Sequence, residues 1–149
     1  MKPINITPPV YLFLTIAIMV LIHFLLPGTK ILALPWNLLG LIPLALGIVL
    51  NLVADKSFKN HETTVKPVEE STVLISTGAF RLSRHPMYLG FVLILFGIAV
   101  LMGSLMPYVV VLVFAIFMDM IFIRFEEKKL EQTFGEAWLE YRRKVRRWI

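Results

Sequence analysis

The 149-residue sequence contains no cysteine. Disulfides, thiolate nucleophiles, lipidated thiols and cysteine metal sites are thereby excluded together. Histidine is scarce as well: His23, His61 and His85 stand far apart, share no ligand spacing, and give no reason to expect a metal. Acidic residues number 10 against 15 basic ones, a net charge of +5. In a soluble protein that balance would suggest nucleic acid. In an apolar chain it reports loops and a tail on the cytoplasmic face, so no nucleic-acid partner is expected.

What the chain has in excess is hydrophobic residues, at 58%. That is too high for an ordinary soluble domain of this length, and the excess lies in long runs. The sequence reads as a single all-α integral membrane domain over residues 1–149, with four transmembrane helices near 10–26, 35–54, 86–102 and 107–125. No small-residue cleavage site follows the first run, which is therefore an anchor rather than a removed signal. Pro43 should kink the second span. Gly40 and Gly47 are seven apart, as are Gly90 and Gly97, so each pair lines one helix face and permits close approach to a neighbour in lipid. Gly103-Ser104 makes a tight turn, and the third and fourth spans form an antiparallel hairpin.

Residues 55–85 turn polar and loop-like. Within them Thr63-Thr64-Val65-Lys66-Pro67 and Ser71-Thr72-Val73-Leu74-Ile75 look extended, and Gly78 suggests a turn before Phe80. With four spans and both termini in the cytoplasm, every lysine and arginine except Lys30 lies on the inner side. The inverse orientation would violate the positive-inside rule at almost every loop. The polar loop and the tail, residues 126–149, then share the cytoplasmic face of what reads as a prokaryotic cytoplasmic membrane. The tail carries Leu130, Phe134, Trp138, Tyr141, Val145 and Trp148 at helical spacing, an amphipathic region broken near Gly135. Its apolar stripe either lies on lipid or folds back as a lid over a cytoplasmic site.

Chemistry concentrates at Ser83-Arg84-His85-Pro86-Met87-Tyr88-Leu89-Gly90. Proline in a first helical turn loses no hydrogen bond, and the exposed N–H groups of that turn suit an anion. At the other end of the hairpin, Asp119 lies inside the fourth span and Glu126 follows seven residues later on the same face of a regular helix. An ionised group at such depth needs a partner or a task. Glu126 and Glu127 end a span where the helix dipole disfavours acids, unless the helix continues into the tail. On a purely structural reading, Glu126 pairs with Lys129, three residues on, and Glu127 is simply solvated. If the spans are neighbours, Arg84 and His85 meet Glu126 and Glu127, an anion seat beside a cation seat, which fits a zwitterion such as the amino-acid end of S-adenosylmethionine.

The run Thr77-Gly78-Ala79-Phe80-Arg81-Leu82-Ser83-Arg84-His85-Pro86-Met87-Tyr88-Leu89-Gly90 resembles the signature of the isoprenylcysteine carboxyl methyltransferase and phospholipid methyltransferase families of integral membrane enzymes. Glu126-Glu127, Leu130, Phe134-Gly135, Trp138 and Tyr141 match its second half, and Thr63 to Pro67 looks like a segment of small prokaryotic members. The resemblance implies S-adenosylmethionine between the third and fourth spans, leaving as S-adenosylhomocysteine. It implies main-chain contacts from Thr72, Val73, Leu74 and Ile75, packing by Phe80, and His85, Pro86, Met87 and Tyr88 around the amino-acid end, with Glu126 on the ammonium. Arg84, Asp119 and Glu127 are the catalytic candidates, and the acceptor is a lipophilic small molecule or lipid in the bilayer. Phe80 stands where tyrosine is usual, Trp138 where tyrosine is common, and Arg146 where proline often precedes the last basic residue. Carboxyl-methylating members carry a substrate-directed arginine one turn before Glu126; here that residue is Phe122, and Arg124 lies on another face. The rival readings are a four-span transporter using Asp119 and a catalytically idle scaffold of the same fold.

Overall fold

A computed structural model describes residues 7–26, 28–60 and 73–149; Thr72 and the Thr63–Pro67 stretch lie outside these. The described residues are mainly helical and include no strand, only an isolated antiparallel bridge between Lys30 and Ser104. Helix α1 is Pro8–Leu25. A 3-10 turn, Trp36–Gly40, leads into α2, Leu41–Asn60. A second 3-10 turn, Gly78–Arg81, precedes α3, Pro86–Met102. Then come α4, Leu105–Met118, a π turn over Asp119–Ile123, α5, Arg124–Phe134, and α6, Glu136–Lys144.

Among the described residues, three helices are long and apolar enough to cross a membrane: Pro8–Leu25, Trp36–Asn60 and Leu105–Phe134. The third apolar run is a 17-residue helix, about 26 Å long at 1.5 Å per residue, somewhat short of a hydrocarbon core near 30 Å. Two helices continue past the expected spans. Helix α2 runs beyond residue 54 to Asn60, with Asp55 and Lys59 paired across one helical turn. Beyond residue 125 the chain stays helical, because the π turn passes directly into α5. Glu126 and Glu127 therefore sit in the first turn of a continuing segment, and the dipole objection to them disappears.

The chain divides into two units, Met1–Ile48 with Phe91–Ile116, and Val49–Gly90 with Phe117–Ile149. In the first, a Cβ placed on Gly97 would lie 2.6 Å from the Gly40 carbonyl oxygen and 2.6 Å from the Leu44 nitrogen. The two small-residue stripes thus meet through one glycine from each. Pro43 falls in the first turn of α2, where its missing N–H is not needed, and the expected irregularity is the change from 3-10 to α geometry just before it. Gly103 adopts φ +67° in the turn between α3 and α4, and its carbonyl accepts the N–H groups of Ile31 and Leu32. Ser104 Oγ is 2.8 Å from His23 Nδ1, so His23 is a packing histidine near the end of α1.

In the second unit the apolar stripe of α5 and α6 turns onto protein. Trp138 and Tyr141 are buried with Ala54, Ile75 and Phe80, and Leu130, Phe134 and Val145 pack around them. The Tyr141 hydroxyl donates to the Phe80 carbonyl at 2.7 Å, fixing the 3-10 turn onto α6. Gly135, at φ +52°, breaks the two helices where expected. The stripe is consumed internally, and Arg142, Arg143 and Lys144 are left on the exposed side.

Candidate functional site

The start of α3 is built by Ser83. Its side chain is fully buried, and its Oγ accepts the N–H of His85, two residues on, at 3.1 Å. That bond sets the approach to Pro86, the first residue of α3, and aims Arg84 and His85 into the interior of the unit. Arg84 Nη2 lies 3.1 Å from Glu127 Oε1, with its side chain only 8% exposed. The guanidinium also rides over the Trp138 ring, 5.7 Å from the centroid. His85 stands between two acids: Nδ1 is 3.3 Å from Glu126 Oε2, and Nε2 is 3.4 Å from Glu127 Oε1. Tyr88, one turn into α3, donates its hydroxyl to Glu126 Oε1 at 2.5 Å.

The acids do not align as a regular helix would align them. In an α-helix residues seven apart fall within about 20° of one another, so Asp119 should share its face with Glu126. The π turn closes instead with the Arg124 N–H on the Asp119 carbonyl, five residues back, and accommodates one extra residue. The eighth residue then takes the place of the seventh, and Asp119 lines up with Glu127. Arg147 bridges the two: Nη1 donates to Asp119 Oδ1 at 3.1 Å, Nε to Glu127 Oε1 at 3.2 Å and Nη2 to Glu127 Oε2 at 2.6 Å. Asp119 Oδ2 accepts from Arg124 at 3.0 Å. Glu127 is buried among Arg84, His85 and Arg147, as expected if the two helix ends meet and not solvated as the purely structural reading had it, and Glu126 faces Tyr88 and His85.

Burial opposes a charge on His85, but the carboxylates of Glu126 and Glu127 outweigh it and hold its pKa above the ordinary 6.5. Burial likewise lowers the Arg84 pKa against the pull of Glu127. The hydrogen bond to Glu127 raises that of Arg147. A histidine whose folded pKa is raised stabilises the fold fully below its unfolded value, and that contribution fades as pH rises through the folded value. Thermal unfolding followed by circular dichroism in detergent should therefore show a midpoint that declines from about pH 6 into the alkaline range. His85→Gln should flatten this decline, and an unchanged slope in that variant would remove His85 as its source.

Of the residues expected to form a site, Arg84, His85, Pro86, Tyr88, Asp119, Glu126 and Glu127 gather at the polar end of the second unit. Leu74, Ile75, Phe80 and Met87 border or enter the apolar cluster with Trp138 and Tyr141, while Val73 is 42% exposed and joins neither. Arg147 was legible only as one of several tail charges. Three buried donors have no partner among the described residues: Arg84 Nε and Nη1 and Trp138 Nε1. Unpaired N–H groups on a buried guanidinium are costly, and this arrangement calls for an acceptor that the described residues do not supply.

The family profile "Phospholipid methyltransferase" matches residues 36–137, which contain Arg84, His85, Tyr88, Asp119, Glu126 and Glu127 but stop short of Trp138, Tyr141 and Arg147. The chain belongs to the phospholipid methyltransferase family. The chain is also 39% identical over 95 residues to the protein-S-isoprenylcysteine O-methyltransferase of Saccharomyces cerevisiae, a match that covers 62% of this chain and 38% of the yeast enzyme. The chain thus spans well under half the length of that curated relative. A Haemophilus influenzae protein described as uncharacterized is 35% identical over 63 residues, 42% of this chain and all of its own length. No solved structure matches. Family membership and three membrane-competent helices together identify a membrane protein of the phospholipid methyltransferase family.

Proposed function

We propose that the protein transfers a methyl group from S-adenosylmethionine to a lipophilic, membrane-embedded acceptor that presents a carboxylate or an amine. The observation that carries this reading is the pairing of unsatisfied buried donors on Arg84 with the carboxylate of Glu126 in one cluster. A free amino-acid end carries both charges that such a cluster would neutralise. The residues fit the cofactor: Arg84 Nε and Nη1 would take its carboxylate, Glu126 its ammonium, and the Phe80, Trp138 and Tyr141 rings would give a dry wall beside a cation. When bound, S-adenosylmethionine supplies an electrophilic methyl on its sulfonium.

The protein's own task is then placement and exclusion of water. A carboxylate acceptor needs no base. An amine acceptor must first lose a proton, yet Asp119 and Glu127 are held by guanidiniums and His85 is biased toward its protonated form. Asp119 with two arginine partners also answers the question its depth raises, and this favours a structural role for it over a transport site. The reading places both termini on the cytoplasmic side and counts α3 as a fourth, shorter span.

Calorimetric titration of the purified protein with S-adenosylhomocysteine tests it, followed by labelled methyl transfer to total membrane lipids and to prenylated peptides. Saturable binding with transfer to either acceptor class is expected. A protein that stays folded and binds no S-adenosylhomocysteine would be an idle scaffold instead.

A further inference from the structure

Glu127 is claimed by two guanidiniums from different elements of the second unit. Arg84 reaches its Oε1 with Nη2 alone, at 3.1 Å. Arg147 takes both oxygens, Nε on Oε1 at 3.2 Å and Nη2 on Oε2 at 2.6 Å. A two-point grip is the strongest geometry that a guanidinium and a carboxylate can adopt. Arg147 is itself fixed at two further points, and the residue before it at a third. Its Nη1 donates to Asp119 at 3.1 Å, its carbonyl accepts the Ser83 hydroxyl at 2.9 Å, and the carbonyl of Arg146 accepts the Arg84 N–H at 3.1 Å.

We propose that Arg147 is a positioning residue for the ligand seat: by occupying Glu127 at both oxygens, it leaves Nε and Nη1 of Arg84 open to an incoming carboxylate. Take Arg147 away and the buried Glu127 carboxylate has lost its main partner, a costly state that any nearby cation relieves. Arg84 and His85 are the cations within reach. A small rotation of Arg84 would let it grip Glu127 side-on, using the donors a ligand would otherwise take. The seat would fill itself. The alignment of Asp119 with Glu127 by the π turn is what lets one side chain serve both acids, so the irregular turn and the C-terminal segment act together.

The inference rests on the cofactor reading above, and the experiment separates the two. S-adenosylhomocysteine binding is measured by calorimetry for the wild type, Arg147→Lys, Glu127→Gln and the double variant. Lysine keeps the charge but cannot hold two oxygens at once. The expected result is that Arg147→Lys binds about tenfold more weakly, a loss comparable to one charge-assisted hydrogen bond. Adding Glu127→Gln should restore binding to within about threefold of wild type, because a neutral amide draws Arg84 far less strongly. Wild-type affinity in Arg147→Lys would overturn the inference, since charge alone would then suffice. Weak binding that Glu127→Gln does not rescue would also overturn it, by showing that Arg147 merely holds the tail in place. Failure of the wild type to bind would instead sink the cofactor reading, and this inference with it.

Discussion

Arg84→Gln should lower the affinity for S-adenosylhomocysteine by about 30- to 1,000-fold, the effect of removing 2–4 kcal/mol from a buried charge contact. The guanidinium is 8% exposed, spends one nitrogen on Glu127 and keeps two others unpaired. Glutamine preserves much of the stem and removes the charge, so the apolar cluster around Trp138 keeps most of its packing. Arg143, exposed on α6, offers the control: Arg143→Gln removes the same charge from the surface and should leave binding within about twofold, as expected for a screened solvent-facing cation. Calorimetry reads both. A loss under threefold at Arg84 would mean that its unpaired donors do not face the ligand.

The largest loss of stability should come from Gly97→Ala. Its new methyl would press on the Gly40 carbonyl oxygen at 2.6 Å, the Leu44 nitrogen at 2.6 Å and the Leu44 Cβ at 2.8 Å. Two of those three are main-chain atoms, so no rotamer change relieves the clash and the helices must separate. Overpacking of this kind costs about 2–3 kcal/mol. Gly28→Ala is the comparison, because its nearest neighbour is the Met106 side chain at 3.2 Å, which can swing away. Its cost should stay below about 1 kcal/mol. Thermal unfolding of both variants in detergent gives the difference, and equal midpoints would show that the glycine contact does not hold the first unit together.

Sequence periodicity carried much of this architecture because hydrophobic runs, Gly135 and the Gly103-Ser104 turn each act locally. Pro86 marked the start of α3 for the same reason: its demand on the backbone does not depend on distant residues. The register of the acids was illegible. A reading in steps of 3.6 residues has no way to detect a π turn, since nothing in Asp119-Met120-Ile121-Phe122-Ile123 departs from an ordinary apolar helix. The pairing of Asp119 with Glu127, and the whole role of Arg147, followed from that one added residue. The tail posed a different difficulty. An amphipathic stripe states that one side must be covered but not by what, and only the positions of Ala54, Ile75 and Phe80 decided between lipid and protein.

The cluster that joins Ala54, Ile75 and Phe80 to Trp138 and Tyr141 also sets an order of assembly. Its early members, Ala54, Ile75 and Phe80, are translated well before its late ones, Trp138 and Tyr141. While translation is still short of α6, those early side chains lack the rings that cover them. Packing of the second unit is therefore postponed until α6 has been made, an order that contacts between distant parts of a chain impose on its folding.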